Sequence, residues 1–506
     1  MPDWTAVASA AAATGLAVLV LWYANAVWSR RRLPPGPLGI PLLGYIPFIP
    51  RDYGDTLMSL TRTYGKVFTL RLGSEDVVFV ADFELLRTCM QSDLFNYRPG
   101  FSYFSSFHLS SLAAWVGREW KEHRKFSLRL FRSLGVGRIE VEERMRGEIN
   151  LLIQELTAGP PGEAVDVREP IGFAVANVIS LLVLGERFAR DDPSGRLLNE
   201  YFMDHSDSKP SMLGSASNVP LLSRVMRATP WSSSHKVTLL MQRIADFMFD
   251  RIAKAKAAAS VSGYDDDAPP STFLQAYLKE MARQDGGKSE FFDENHLFGC
   301  AFSFFAAGAN TARDFLTWFL VYITSFPDVQ SRLREEVDRV IGSQEAPSFL
   351  RHKHLMPYTE AVTLEIYRHA PMLPLGLMHA VGDEARLGPY HLRKGTRVVM
   401  NLLHLFRDPE YFEDPESFRP ERFLSPDGKS FVRDERVIAF GTGKRSCPGE
   451  PVAVVEIFLF ITSLIQKLEI HAPPGTRYSV HDVKYVFLQR LPAASPICLL
   501  FRRRDA

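Results

Sequence analysis

The chain has 506 residues, of which 46% are hydrophobic and 12% aromatic, so it can bury a large core. Its formal net charge of +1 argues against a role that depends on bulk electrostatic attraction to nucleic acid. The four cysteines, at positions 89, 300, 447 and 498, form neither a C-x-x-C pair nor a regular spacing, which excludes a disulfide framework and a zinc site.

The N-terminal segment predicts a membrane anchor over residues 1–32. No charged residue occurs from Trp4 to Trp28, and a helix of this length, at about 1.5 Å per residue, spans a hydrocarbon core of about 30 Å. A cleaved signal peptide is the alternative, with Ala-Asn-Ala at residues 24–26 as its cleavage site. The length of the apolar run and the three arginines at residues 30–32 favour an anchor whose following domain stays in the cytosol.

A proline-rich segment follows the anchor. Residues 33–37 read Leu-Pro-Pro-Gly-Pro, and proline at this density stops a helix and stiffens an extended chain. Residues 33–44 are therefore predicted to form a hinge between the anchor and the main body, residues 45–506. An ordinary surface loop is the alternative interpretation.

A long apolar run from Glu294 to Phe326 contains no proline and is predicted to form one buried helix. In its middle, residues 306–311 read Ala-Ala-Gly-Ala-Asn-Thr, and such small side chains let a flat ligand approach the backbone. Thr311 can donate a hydrogen bond to the carbonyl of Ala307, which loosens the helix locally and leaves room for water or dioxygen. A core helix with small packing residues is the alternative.

The most informative segment runs from Phe440 to Gly449 and reads Phe-Gly-Thr-Gly-Lys-Arg-Ser-Cys-Pro-Gly. Its glycines let the backbone wrap a bulky group, and Cys447 precedes an apolar helical run whose N-terminal end favours a thiolate. Haem iron can be held in this way, with Cys447 on the metal, Arg445 on a propionate and Phe440 against the ring. The motif C-x-x-C-H is absent, which excludes c-type attachment. A buried free cysteine in a glycine-rich turn is the alternative.

The pattern F-x-x-G-x-R-x-C-x-G is complete in this segment and resembles the haem-binding loop of the cytochrome P-450 family. The anchor and the proline-rich segment look like the entry of its microsomal, family-2-like members, and residues 306–311 are similar to the oxygen-binding groove of the family's long central helix. The resemblance implies a mainly α fold with a small β-rich lobe near the N-terminus, a single catalytic domain over residues 45–506, and haem b and O2 as cofactors.

Several residue roles follow only from this resemblance. The helical pair Glu365 and Arg368 would usually be an exposed ion pair worth less than about 1 kcal/mol. Residues 418–423, however, look like the family loop whose arginine, here Arg422, joins that pair in a buried structural triad. The residues expected to bind the haem carboxylates are Trp120 and Arg124, which match W-x-x-x-R, with Arg445, His379 and Arg98.

The resemblance also names the catalytic candidates, Thr311 and Asn310. Many members carry an acid at the position of Asn310, and an amide cannot ionise, so proton delivery here is expected to depend on Thr311 and ordered water. Residues 101–107 correspond to the loop that covers the substrate pocket, and an aromatic, dry cavity suits a steroid, fatty acid, terpenoid or lipophilic foreign compound. The predicted lining residues are Phe101, Phe104, Phe107, Phe304, Ala307, Leu375 and Phe487.

The implied reaction is the insertion of one oxygen atom from O2 into such a substrate, by hydroxylation or epoxidation. No G-x-G-x-x-G fingerprint is present, so the electrons are expected to come from NADPH through a separate reductase, with cytochrome b5 as an additional partner, at the cytoplasmic side of the endoplasmic reticulum membrane. The basic residues predicted to face an acidic reductase are Arg118, Lys121, Arg124, Lys125, Arg129, Arg132 and Lys444. The alternatives are a haem-thiolate isomerase or dehydratase, which needs no external electrons, and a non-catalytic haem sensor.

Overall fold

The structure is a computed structural model that describes residues 4–50, 52–73, 75–99, 111–133, 138–207, 225, 228–262, 270–284, 290–486, 489–492 and 496–504. Helices make up most of these residues. The α-helices are α1 (Trp4–Arg30), α2 (Gly54–Tyr64), α3 (Phe83–Gln91), α4 (Gly117–Ser133), α5 (Ile139–Leu156), α6 (Arg168–Val183), α7 (Pro193–Asp207), α8 (Ser233–Ser262), α9 (Phe273–Arg283), α10 (Glu294–Ser325), α11 (Pro327–Val340), α12 (Phe349–His352), α13 (Pro357–His369), α14 (Leu402–Leu405) and α15 (Glu450–Lys467).

The strands form small sheets. They are β1 (Val67–Leu72), β2 (Glu75–Val80), β3 (Val165–Asp166), β4 (His379–Ala380), β5 (Ala385–Leu387), β6 (Tyr390–Leu392), β7 (Arg397–Met400), β8 (Leu468–His471), β9 (Val483–Val486), β10 (Gln489–Pro492) and β11 (Cys498–Arg503). The largest sheet has the order β1-β2-β7-β4, in which β1 and β2 are antiparallel and β2 is parallel to β7. The predicted mainly α fold with a small β-rich lobe is therefore confirmed.

Helix α10 is the long buried helix that the sequence predicted, and it ends one residue earlier than expected. It begins at Glu294 because the side chain of Asp293 accepts a hydrogen bond from the backbone N–H of His296 at 2.8 Å. It ends at Ser325, and the next helix begins with Pro327, which cannot continue a helical hydrogen-bond ladder.

Small residues bring α6 and α10 close together. A Cβ atom on Gly308 of α10 would lie 2.8 Å from the side chain of Ile179, and one on Gly172 of α6 would lie 3.0 Å from the side chain of Arg313. Both distances are too short for ordinary packing, so glycine at these positions permits the close approach of the two helices. Gly308, which makes one of these close contacts, is adjacent in the chain to the exposed Ala307.

The β-rich lobe has its own core. Phe68 on β1 and Phe79 on β2 stack with their ring centroids 5.0 Å apart, and both are fully buried. Leu375, which the sequence placed in the substrate pocket, is also fully buried and belongs to this cluster. Its side chain therefore contributes packing to the lobe, and a role in the pocket stays a prediction.

The end of the N-terminal helix is attached to the lobe by Arg30. Its guanidinium donates to the carbonyls of Pro37 at 3.0 Å and Thr69 at 2.9 Å, and it forms an ion pair with Asp76 at 3.3 Å. Burial raises the pKa of Asp76, an effect that the charge of Arg30 opposes. Arg30, one of the three arginines that follow the apolar run, is thus only 7% exposed and is a structural link between helix and domain.

The proline-rich segment also contacts β1. The carbonyl of Pro35 accepts a hydrogen bond from the backbone N–H of Thr69 at 2.8 Å. A Cβ atom on Gly36 would lie 1.9 Å from the carbonyl oxygen of Thr69, so this glycine lets the segment lie directly on the strand. The predicted hinge is therefore partly docked on the lobe, and its boundaries at residues 33 and 44 stay a prediction.

We expect Arg30→Gln to lower the free energy of unfolding by about 2 kcal/mol, because it removes an ion pair and leaves buried hydrogen-bond acceptors without a donor. Denaturant unfolding in detergent micelles measures the change. Arg31→Gln is the matched control, since Arg31 is exposed and lies over the Trp28 ring, and its effect should stay below about 0.5 kcal/mol. Equal effects of the two variants would contradict a structural role for Arg30.

Candidate active site

The cysteine segment forms a compact loop before α15. The backbone N–H of Cys447 donates to the carbonyl of Phe440 at 2.8 Å, which closes the loop. Gly441 and Gly443 have φ angles of 75° and 72°, a region that other residues rarely adopt. A Cβ atom on Gly443 would also lie 2.1 Å from the carbonyl oxygen of Met90, so α3 and the loop meet only because this residue is glycine.

The Cys447 side chain is exposed, although the surrounding protein desolvates it and raises the pKa of its thiol. Both observations are satisfied if the sulfur faces a space inside the protein. Hydrogen bonds from the backbone N–H groups of Gly449 and Glu450 and the charge of Arg124 act in the opposite direction and favour the thiolate. A metal ion bound to the sulfur would complete the deprotonation.

Three arginines gather beside this loop, and their hydrogen bonds go to neutral groups. Arg98 donates to the carbonyls of Leu377 and Met378, both at 2.8 Å, and its buried Nε has no hydrogen-bond partner among the described residues. Arg445 donates to two main-chain carbonyls at 2.9 and 2.6 Å, and Arg124 donates to the Ser446 hydroxyl at 3.2 Å.

Burial and neighbouring positive charges lower the pKa of two of these guanidinium groups. Burial, followed by the charge of Arg124, lowers the pKa of Arg98 to about 10. Burial and the charges of Arg98 and Arg124 lower the pKa of Arg445 to about 9. Within the described part of the chain none of them forms a salt bridge, so this cluster has the charge and the open donor that a buried dicarboxylate requires.

The other two predicted carboxylate partners lie beside the same cluster. Trp120 is 5% exposed, and the guanidinium of Arg445 lies 3.9 Å from its ring centroid. The buried His379 places Nδ1 2.7 Å from the carbonyl of Phe95, so Nδ1 carries the proton in the neutral ring. Burial, with the charges of Arg98 and Arg445, lowers the pKa of His379 well below its usual value, so its Nε2 can donate to a carboxylate only after the anion induces protonation.

The middle of α10 offers an open surface. Ala307 is exposed although most residues around it on this helix are buried. The Thr311 hydroxyl donates to the Ala307 carbonyl at 2.9 Å, the hydrogen bond that the sequence predicted. Asn310 donates from Nδ2 to the Ala306 carbonyl at 3.0 Å, and its buried Oδ1 has no partner among the described residues. The amide oxygen is therefore free to accept a hydrogen bond from water.

These features fit an iron porphyrin. The Cys447 thiol would ligate the iron, the three arginines would balance the charge of two carboxylates, and the small residues on α10 would leave room for a flat ring. The sequence model of the family described as Cytochrome P450 matches residues 34–493. The chain belongs to the cytochrome P450 family.

Curated relatives cover nearly the whole of this cytochrome P450. Cytochrome P450 2L1 of Panulirus argus is 30% identical over 452 residues, which are 88% of this chain and 89% of the relative. Cytochrome P450 2J1 of Oryctolagus cuniculus is 31% identical over 498 residues, 96% of this chain and 95% of the relative. Cytochrome P450 18a1 of Drosophila melanogaster is 30% identical over 473 residues, 91% of this chain and 85% of the relative.

Membership in the family makes the protein a cytochrome P450 monooxygenase that uses haem iron and O2. It also implies that redox partner proteins supply electrons and that the substrates are small molecules. Helix α1 is long and apolar enough, from Val7 to Arg30, to cross a membrane, which is compatible with anchoring in the endoplasmic reticulum. The predicted family and enzyme class are thereby confirmed.

Behind the cysteine loop of this P450, the predicted triad residues contact one another. Glu365 accepts from Nε and Nη2 of Arg368 at 2.7 and 2.8 Å and from Nε of Arg422 at 3.0 Å. Glu365 and Arg368 are fully buried, and Glu365 also accepts from the backbone N–H of Arg419 at 2.9 Å. Arg368 also donates hydrogen bonds to the carbonyls of Phe406, Pro415 and Ser417. The triad thus connects α13 to residues 406–422.

The predicted pocket residues of this P450 lie in different environments. Phe304 is 9% exposed, and its ring packs edge-on against Phe131 and Phe273, with centroids 4.7 and 5.2 Å away. Ala307 is exposed and Leu375 is in the lobe core. The remaining four, Phe101, Phe104, Phe107 and Phe487, lie outside the described residues.

Two residues that contact the site were not predicted from the sequence, because neither has a role in the motifs described above. Trp115 accepts the 2.6 Å hydrogen bond of Arg445 through its backbone carbonyl, which no side-chain pattern can reveal. Tyr367 is buried, and its ring meets Phe440 edge-on with centroids 5.1 Å apart, so it supports the cysteine loop from behind. Its place next to Arg368 in the chain was the available signal.

Proposed function

We propose that this cytochrome P450 hydroxylates or epoxidises a lipophilic substrate, a steroid, fatty acid, terpenoid or foreign compound, with electrons from NADPH delivered by a membrane-bound flavoprotein reductase. The observation that carries the proposal is the segment of α10 from Ala307 to Thr311, where Ala307 is exposed on a largely buried apolar helix and the Thr311 hydroxyl and Asn310 amide follow about one turn later. Apolar walls with a few oriented polar groups are typical of sites for lipophilic ligands.

In this proposal Cys447 would ligate the haem iron, and Phe440 would contact the porphyrin. Arg98, Arg124 and Arg445 would bind the carboxylates together with Trp120 and His379. Bound haem supplies the activation of O2 and the transfer of one oxygen atom to the substrate. The protein contributes the ligand, the charge balance and an interior site that excludes bulk water.

Thr311 and Asn310 are proposed to take part in proton delivery at this site. Because the Thr311 hydroxyl donates to the Ala307 carbonyl, its oxygen has lone pairs available for a water molecule. The free Oδ1 of Asn310 accepts from water but cannot ionise, so Asn310 orients solvent and Thr311 passes protons on.

The reductase, with cytochrome b5 as an additional acidic partner, is proposed to dock on a basic surface of α4 and the cysteine loop. Arg118, Lys121, Lys125 and Arg129 are exposed there, and Lys444 forms an exposed ion pair with Asp93 at 2.8 Å. Exposed charges of one sign accelerate encounters with a partner of opposite charge. We further propose that residues 1–32 anchor the protein and residues 33–44 connect the anchor to a domain on the cytoplasmic side, since Arg31 and Arg32 follow α1.

Purified protein, reductase, NADPH and a panel of lipids test the function. We expect NADPH consumption to be coupled to an oxygenated product for at least one lipid class. Conversion of an oxygenated lipid without NADPH would instead identify an isomerase or dehydratase, and binding without any turnover across the panel would favour a sensor.

Thr311→Ala is expected to leave haem bound and NADPH oxidation active while product per NADPH falls by about tenfold or more, because proton delivery loses its hydroxyl. Hydrogen peroxide and product are measured against NADPH. Thr324→Ala is the matched control, since Thr324 makes the same hydrogen bond, to the Leu320 carbonyl at 2.7 Å, far along the same helix. Unchanged coupling in Thr311→Ala, or an equal loss in the control, would reject the proton-delivery role.

A further inference from the structure

Two stacked imidazoles lie between α4 and the start of α10, outside the site described above. The rings of His123 on α4 and His296 on α10 have centroids 4.9 Å apart and are inclined by 13°. Trp115 contacts both rings, with centroid distances of 4.6 and 5.1 Å. A histidine pair of this kind can carry two, one or no positive charges, so its protonation state must be established from its hydrogen bonds.

The surroundings of His296 require a doubly protonated ring. Its Nδ1 lies 2.8 Å from an oxygen of Asp293, and its Nε2 lies 3.0 Å from an oxygen of Glu119. Both partners are carboxylates, which accept hydrogen bonds, whereas a neutral imidazole has only one N–H to donate. His296 therefore satisfies both contacts only as an imidazolium, and in that form it joins α4 to the first turn of α10.

The surroundings of His123 favour a neutral ring. Its Nδ1 lies 2.8 Å from the backbone carbonyl of Glu119, so Nδ1 carries the proton, and in the neutral ring Nε2 accepts from the Tyr277 hydroxyl at 2.8 Å. Burial, assisted by the charge of His296, lowers the pKa of His123. Burial acts to raise the pKa of Asp293, but hydrogen bonds from His296 outweigh it and the net shift is downward. Both directions agree with a single cation, on His296.

A continuous set of contacts leads from this pair to the proposed haem-binding residues. Trp115, which packs on both imidazoles, accepts the hydrogen bond of Arg445 through its carbonyl. The guanidinium of Arg445 in turn lies over Trp120, and Trp120 is on the same helix as Glu119. Movement of α4 would therefore change the positions of the groups that meet the haem carboxylates.

We propose that His296 is a positioning residue for the proposed haem-binding helix α4, acting as an imidazolium bridge between Glu119 and Asp293. Loss of the imidazole leaves Glu119 without this donor and removes the charged contact of the bridge that crosses between α4 and α10. Among the described residues, the other titratable or charged groups around it include His123 and Tyr277 on the inner side, Cys300 near Glu119, and the outer ion pairs Arg118–Glu290 and Lys256–Glu294.

The rate of haem transfer from the full-length holoprotein to excess apomyoglobin tests this proposal. In His296→Gln we expect the rate to rise by about tenfold, because one charge-assisted hydrogen bond between the helices is lost. The double variant His296→Gln/Glu119→Gln should be no faster than His296→Gln alone, because both substitutions remove the same contact.

Two further variants make the result decisive. Glu119→Gln keeps both imidazoles but removes the carboxylate on α4, and it should raise the rate of haem transfer as His296→Gln does. Glu294→Gln is the matched control, because Glu294 lies in the same first turn of α10 but pairs with Lys256, and its rate should equal that of the wild type. A wild-type rate in Glu119→Gln, or a double variant in which the two effects add, would overturn the proposal; the former decides the matter even if His296→Gln does not fold.

Discussion

Replacing Cys447 with serine is expected to abolish the red-shifted Soret band that thiolate-ligated haem shows after reduction in the presence of carbon monoxide. Serine is a poor ligand for haem iron, so the variant keeps the loop geometry but loses the sulfur. Product formation should fall by more than about 100-fold, the upper end of what loss of an outer-shell partner costs a metal site. Difference spectra and turnover with reductase measure the two effects.

The matched control is Cys498→Ser. Cys498 is half-buried on β11, where it pairs with β3, and it should tolerate the change with the band and the activity intact. An unchanged red-shifted band in Cys447→Ser would show that another residue ligates the iron. A band at the position typical of histidine ligation in the wild type would contradict the assignment of Cys447 directly.

Among the variants proposed here, Glu365→Gln should cause the largest decrease in the free energy of unfolding. Arg368 is fully buried, and its charge is balanced by Glu365 at 2.7 Å, so the substitution leaves an uncompensated guanidinium in the core. Removing one partner of a buried ion pair costs about 3–5 kcal/mol, whereas an exposed pair contributes less than about 1 kcal/mol. Denaturant unfolding and the yield of haem-bound protein measure the effect.

Glu421→Gln is the appropriate comparison for this variant. Glu421 is adjacent to Arg422 in the chain but pairs with Arg332 on the surface, with both side chains more than 40% exposed. We expect the control to unfold within about 1 kcal/mol of the wild type. If both variants lose the same stability, the triad is not the element that holds α13 to residues 406–422.

Parts of the site that depend on local chain geometry were predictable from the sequence. The hydrogen bond from Thr311 to Ala307 joins residues four apart on one helix, so its geometry follows once the helix is predicted. The pairing of Glu365 with Arg368 follows from a separation of three residues in the same way. The loop that presents Cys447 has glycines where its backbone needs positive φ angles.

Other features depend on contacts between distant parts of the chain. Asp76, which pairs with Arg30, lies on a strand of the lobe, and only the docking of residues 35–37 on β1 brings the two together. Leu375 has the same apolar character in either environment, so its sequence position could not distinguish the lobe core from a substrate pocket. The protonated atom of His379 is determined by the carbonyl of Phe95.

The sequence by itself determined the family and enzyme class, the long helix α10, the cysteine loop and the pairing partners on single helices, because short-range periodicity and a complete motif encode them. Only the tertiary structure decided that Arg30 is a buried link, that three arginines share one site, and that His296 lies between the carboxylates of Asp293 and Glu119. The physical reason is that burial and charge balance belong to an environment, and residues far apart in the chain build that environment together.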